Sequence, residues 1–162
     1  MVGALARVNL SIEKLHENTK RDAAKYLRVF PSKNIYHNNL AQAIEILHSI
    51  DHSIDILDGY TFRPEEPVEI VPKDAENVGV IEAPRGTLYY RLKLGKDGYV
   101  KNGTIIVPTQ QNQINIRQDI FTLVQMNINK SKEYIVNEIE KLIRAYDPCM
   151  SCASHFLKVR WK

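Results

Sequence analysis

Asp147-Pro148-Cys149-Met150-Ser151-Cys152-Ala153-Ser154-His155 gathers both cysteines of the sequence, a histidine and a carboxylate into one short run. No other stretch is as dense in groups that bind metals. C-x-x-C spacing can place two sulfurs on one metal ion or close them to a redox disulfide, and His155 could add a nitrogen ligand. A tetrahedral zinc site needs four ligands; the motif offers at most three, so a distant His or Asp would have to complete it. Thioredoxin-type chemistry places its cysteines at a helix N-terminus, where the dipole lowers the thiol pKa. Here the motif follows a helix C-terminus, the electrostatically unfavourable end. Metal binding is the favoured reading, with redox chemistry and inert buried cysteines left open.

Other groups with metal chemistry are sparse. His48 and His52 stand at i and i+4 on a helix, but no H-E-x-x-H signature accompanies them, which favours a solvated or hydrogen-bonded face. Two cysteines in one motif argue against a structural disulfide framework. The chain has 162 residues, 44% hydrophobic and 25% charged, enough for one domain with a real core. Its net charge of +3 is spread along the chain apart from Lys158, Arg160 and Lys162, which is too weak a signal for nucleic acid. No apolar run approaches the roughly 18 to 20 residues that span a bilayer, and the N-terminus lacks a secretory layout, so a cytoplasmic location is expected.

The elements that must position the motif read as an α+β fold, amphipathic helices packed around a small antiparallel sheet. Residues 1–60 read as helical. Val2 to Val8 is an apolar, small-residue run. Thr19 has the spacing of an N-cap before a helix carrying Ala23, Ala24 and Leu27 and stopped by Pro31. Leu40, Ala43, Ile44, Leu47, Ile50, Ile54 and Leu57 recur at helical steps and Gly59 sits past the end, predicting a helix long enough to cross a domain.

Residues 68–112 read as β-rich. Val68 to Val71 and Val78 to Glu82 are short strand candidates, and the alternation around Leu88 to Leu94, turning at Gly95-Lys96-Asp97-Gly98 into Tyr99 to Val107, predicts a hairpin. Glu82 to Gly86 and Val107 to Asn112 read as irregular loops on this sheet, where function tends to concentrate. Residues 113–147 return to helix, with Ile135, Val136, Ile139, Leu142 and Ile143 on one face from about Lys132 to Tyr146. Asp147-Pro148 ends that helix and presents the cysteine motif.

The nine-residue motif resembles the D-P-C-x-x-C-x-x-H nickel-binding sequence that closes the large subunit of nickel-iron hydrogenases. Three more segments are similar in the same order. Glu82-Ala83-Pro84-Arg85-Gly86 resembles the family's E-A-P-R-G, and Val107-Pro108-Thr109 with Gln111-Asn112 its V-P-T-x-Q-N. Val2-Gly3-Ala4-Leu5-Ala6-Arg7 resembles its V-G-P-L-A-R, with Ala4 in place of proline. The T-x-Q-N form is closer to hydrogenases coupled to coenzyme F420 or NAD(P).

The resemblance implies the C-terminal portion of a hydrogenase large-subunit fold, working in reversible oxidation of hydrogen to protons and electrons. It implies Cys149 as terminal nickel ligand and proton acceptor, and Cys152 as bridge from nickel to an iron carrying cyanide and carbon monoxide. Soft thiolates suit that chemistry. Arg85 would stand over the open face of the cluster, paired with Asp147. Thr109 would donate its hydroxyl to a cyanide, with Pro108 beside it, and His155 would hold a magnesium ion or its waters. Phe156 to Lys162 resembles the tail that a maturation endopeptidase removes after nickel is loaded by its chaperones.

The family's R-x-C-G-x-C motif, which supplies two further cysteines, is absent from this sequence. Activity would therefore need an N-terminal half, besides an iron-sulfur small subunit and F420 or NAD(P) reductase subunits; alone, the chain is expected to be inactive. The other reading is a truncated, non-catalytic remnant that keeps the fold and binds nickel or zinc weakly. Either way, an apolar surface left uncovered is expected.

Overall fold

The computed structural model describes residues 1–149 and 159–161. Cys152, His155 and most of the tail that follows therefore lie outside the described residues.

The apolar N-terminal run becomes α1 (Ala4–Ser11), with Ala4 at the first helical position, where the family's proline also fits because that N–H needs no helical partner. A short 3-10 turn leads to α2 (Glu17–Asp22) and α3 (Ala24–Leu27). Thr19 is not the N-cap. The helix begins earlier, capped by the His16 ring, and Thr19 is fully buried with its hydroxyl donating to Asp51. Local spacing mistook a buried hydrogen bond to a distant helix for a cap.

The long helix forms as α4 (His37–Gly59), 23 residues. Its N-terminal half is held in the core by Asn38, Ala41 and Ile44. The expected apolar face is only partly covered: Ile50, Ile54 and Leu57 are more than half exposed, as is Ile46. These four share one helix face and line an open groove beside α1. The periodicity was a true record of an apolar face, but among the described residues its C-terminal end is left largely uncovered. His48 follows the ordinary reading: its Nδ1 accepts the His16 backbone N–H, and its ring packs edge-on to His52.

Residues 60–74 form no strand, and Val68, Ile70 and Val71 are exposed. The sheet has three antiparallel strands in sequential order, β1 (Ala75–Ala83), β2 (Gly86–Leu94) and β3 (Val100–Ile106). The segment read as an irregular loop at Glu82 to Gly86 is a tight hairpin turn. Ala83 pairs with Gly86, leaving Pro84 and Arg85 at the tip, and the positive φ of 133° at Gly86 is one that glycine adopts without strain.

The second expected loop is helical. Pro108 occupies the first turn of α5 (Pro108–Met126), so Thr109, Gln111 and Asn112 project from a helix start. A proline-led polar segment reads equally as loop or as helix N-terminus, and packing decides. α6 (Lys132–Tyr146) matches its expected range: Ser131 caps it by accepting the Tyr134 N–H, and Ile135, Ile139, Leu142 and Tyr146 are buried on one face.

The core joins α1, α4 and the end of α6 through Leu5, Val8, Ala41, Ile44, Leu142 and Ala145. Asn38 ties all three polar backbones: its Oδ1 accepts the Leu5 N–H at 3.1 Å and its Nδ2 donates to the Ala145 carbonyl at 3.0 Å. Replacing Asn38 with leucine strands a buried donor and a buried acceptor. We expect a loss of about 2 to 4 kcal/mol in chemical denaturation, because each unsatisfied group costs roughly 1 to 3 kcal/mol. Among the described residues no helix is long and apolar enough to cross a membrane.

Candidate functional site

α6 ends at Asp147, whose φ of 48° and ψ of 56° are left-handed, a helix-terminating conformation that asparagine and aspartate tolerate better than most residues. Pro148 cannot continue the helix, so Cys149 is delivered just beyond a rigid, buried terminus. Its backbone N–H donates to Thr109 Oγ1 at 3.0 Å. Thr109 is only 5% exposed, and with its oxygen accepting, its hydroxyl hydrogen is the group it can offer to a ligand.

Arg85 reaches Asp147 from the β1–β2 turn. Its Nε donates to the Asp147 carbonyl at 2.9 Å and its Nη2 to Asp147 Oδ1 at 3.1 Å. The other carboxylate oxygen, Oδ2, accepts from Gln42 Nε2 at 2.8 Å. Cys149, Asp147, Arg85 and Thr109 are thus brought together from three elements, with Pro108 at the start of α5 beside Thr109. Cys152 and His155 fall outside the described residues.

The turn carrying Arg85 is held from below by Arg7. Arg7 Nε and Nη2 donate to the two oxygens of Glu45, both at 2.6 Å, Nη1 donates to Glu82 and to the Ala83 carbonyl at 3.0 Å, and Nη2 also reaches the Pro84 carbonyl at 2.8 Å. All five guanidinium N–H groups are used. The Glu45 hydrogen bonds, and then Glu82, raise the Arg7 pKa above its ordinary value despite burial.

Gly3 and Gly86 let the N-terminal segment lie directly on this turn. A Cβ at Gly86 would sit 2.6 Å from Val2 Cγ2, and one at Gly3 would sit 2.8 Å from the Arg85 carbonyl oxygen. We expect Gly86→Ala to cost about 1 to 3 kcal/mol through its positive φ alone, with more from the clash, readable as a lowered denaturation midpoint.

The first turn of α5 completes the frame. Gln111 Nε2 donates to the Thr87 carbonyl at 2.7 Å, and Asn112 exchanges a pair of hydrogen bonds with the Val2 backbone at 2.8 and 3.0 Å. Tyr146, next to Asp147, donates its hydroxyl to Asp119 of α5; burial first and then Asp119 push the phenol well above its ordinary pKa. The sequence motifs contained Arg7, Gln111 and Asn112 without revealing their roles. Gln42, Asn38 and Glu45 carried no motif signal. Only their i, i+4, i+7 spacing on one helix face could have suggested a shared task.

As a donor set for nickel and iron, the chain fits in part. Cys149 lies just beyond the end of α6, soft thiolates suit nickel, and the sequence holds two cysteines. Among the described residues no group of three or more His, Cys, Asp or Glu is assembled to hold a metal.

Comparison with known proteins agrees with this geometry. The chain is 35% identical over 163 residues to sulfhydrogenase 1 subunit alpha of Pyrococcus furiosus, covering 98% of this chain and 37% of that one. It is 31% identical over 173 residues to the NAD-reducing hydrogenase HoxS subunit beta of Cupriavidus necator, covering 96% and 34%. The crystal structure of an NAD+-reducing [NiFe]-hydrogenase in the H2-reduced state superposes with a TM-score of 0.67 at 29% identity, over 95% of this chain and 35% of that one. The chain therefore spans little more than a third of the length of the relatives it matches. The nickel-dependent hydrogenase family model matches residues 1–155, and the chain belongs to that family.

Proposed function

We propose that this chain forms the C-terminal part of the catalytic subunit of a nickel-iron hydrogenase, which oxidises hydrogen reversibly to protons and electrons. The observation that carries this reading is the meeting of three elements at the end of α6, where Arg85 of the β1–β2 turn holds Asp147 and Thr109 of α5 accepts the Cys149 N–H. When bound, the nickel-iron centre, its iron carrying cyanide and carbon monoxide, supplies the polarisation that splits hydrogen into unlike charges.

The chain's own groups then have distinct tasks. Cys149 and Cys152 would hold the centre as thiolates, and the Cys149 sulfur is the group that would take up the proton. The Arg85 guanidinium, oriented by Asp147, would place positive charge beside the bound centre and could donate a hydrogen bond to one of its cyanides. Thr109 fixes the Cys149 backbone and offers its hydroxyl hydrogen, with Pro108 setting the start of its helix. His155 holds a magnesium ion or its waters. The match to the family ends at residue 155, which supports Phe156 to Lys162 as a removable tail.

Two cysteines cannot supply a four-thiolate site, so an N-terminal half carrying R-x-C-G-x-C is the required partner. An iron-sulfur small subunit would carry electrons to F420 or NAD(P) reductase subunits. A maturation endopeptidase and nickel chaperones would act before assembly. The exposed Ile46, Ile50, Ile54 and Leu57 face supports cover by further polypeptide. A cytoplasmic location is part of the proposal.

The cysteine count also favours a second reading, a non-catalytic remnant that binds nickel or zinc weakly. Co-expression with an R-x-C-G-x-C half and the small subunit, followed by metal analysis of the purified complex, separates the two. The hydrogenase reading expects stoichiometric nickel and iron. Weak nickel or zinc on the chain, with no iron in any complex, would select the remnant.

A further inference from the structure

We propose that Gln42 is a positioning residue for the Arg85–Asp147 pair, an inference that rests on the reading of that pair as part of the hydrogen site. Arg85 lies against both carboxylate oxygens of Asp147, its Nε 3.1 Å from Oδ2, and Gln42 of α4 adds an anchor from a second element. Oδ1 accepts from Arg85 Nη2 at 3.1 Å, while Oδ2 accepts from Gln42 Nε2 at 2.8 Å. The left-handed end of α6 fixes the Asp147 backbone but leaves its side-chain torsions free. Gln42 adds a fixed contact on Oδ2 beside those of Arg85, and so narrows the angle from which the carboxylate meets the guanidinium.

The donor is neutral, which matters as much as its position. Arg85 and Asp147 form one positive and one negative partner, and an amide adds a hydrogen bond without changing that balance. A carboxylate at position 42 would instead face Asp147 with like charge and compete for Arg85.

The rest of α4 shows why this residue sits where it does. Asn38 holds the Ala145 carbonyl, Gln42 holds Asp147, and Glu45 holds Arg7, which in turn grips the Ala83 and Pro84 carbonyls of the Arg85 turn. One helix face therefore sets the separation between the end of α6 and the turn that meets it. Gln42 is the member of that face in direct contact with the pair.

The test uses the full, metal-free chain labelled at arginine nitrogen, comparing wild type with Gln42→Met and Gln42→Glu. Solvent exchange of the Arg85 Nε–H should rise about tenfold in both variants, the scale of one lost hydrogen bond's ordering. In the assembled hydrogenase, kcat should fall roughly 10- to 100-fold with the KM for hydrogen unchanged, as expected for misplaced rather than missing groups. A lowered melting temperature with Arg85 exchange unchanged would make Gln42 merely structural and overturn the proposal, as would unchanged exchange and kcat in both variants. Gln42→Glu, which keeps side-chain size, decides the matter if Gln42→Met fails to fold. If even the wild-type assembly lacks hydrogen activity, the functional reading fails, while Arg85 exchange in the metal-free chain still decides the role of Gln42.

Discussion

Cys149→Ala in an assembled hydrogenase will reduce hydrogen-dependent dye reduction to background and leave the chain folded. The two halves of this result have different causes. Cys149 lies beyond the end of α6, outside the buried core, and its structural hydrogen bond to Thr109 is made by the backbone N–H, which alanine retains. The fold therefore loses little. The chemistry loses a thiolate, and neither a methyl group nor a serine hydroxyl can replace a soft, anionic sulfur on nickel. A group that only orients the ligand behaves differently: Thr109→Val keeps all metal donors, and its loss should stay nearer the roughly 10- to 100-fold typical of outer partners. Dye reduction, nickel content and circular dichroism on the same preparations check the pattern. Full turnover by Cys149→Ala would refute the ligand assignment.

Arg7→Met will destabilise the fold through the turn that carries Arg85. The substitution keeps aliphatic bulk and removes five N–H donors at once, leaving Glu45 and Glu82 facing each other without their cation and two turn carbonyls without partners. The Arg7 and Glu45 side chains are 27% and 21% exposed, so solvent can only partly compensate. Breaking a well-buried pair costs about 3 to 5 kcal/mol, and partial exposure brings the expectation here to about 2 kcal/mol. For a chain of this size that is a fall of about 4 to 8 °C in melting temperature. Arg7→Lys should recover little of it, because an ammonium has three donors and cannot span two carboxylates and two carbonyls in one plane. A Met variant that melts with wild type would show that the turn is held by other contacts.

Much of this arrangement could be read from residue order alone, for identifiable reasons. α6 and its stop were legible because apolar spacing and Asp147-Pro148 agree. The hairpin was legible because alternation and a glycine-containing turn agree. Family motifs singled out Arg85, Asp147, Thr109 and Cys149, and the fold brings these four residues together. Thr19 and the residues from 68 to 71 were misread because their environment is tertiary. Thr19 is buried against Asp51 from a distant helix, and Val68 to Val71 have strand-like composition but no neighbouring strand to pair with. The polar face of Asn38, Gln42 and Glu45 left no local trace, since each residue is ordinary on a helix and acquires its role only from what α1, α6 and the β1–β2 turn bring to it.

The surface of α4 has a similar lesson. Its apolar repeat runs unbroken from Leu40 to Leu57, yet burial stops near the middle. Periodicity reports that a face is apolar, and only the assembled fold reports what lies against it.

The central claim is that this chain supplies one half of a site that cleaves hydrogen into unlike charges, and isotope exchange tests it most directly. The chain, co-expressed with a half carrying R-x-C-G-x-C and with the iron-sulfur small subunit, is purified anaerobically and placed under deuterium gas in ordinary water. Heterolytic cleavage predicts release of HD and H2 that depends on Cys149 and on the presence of the partner half. A complex that assembles with nickel and iron bound but forms no HD would contradict the account.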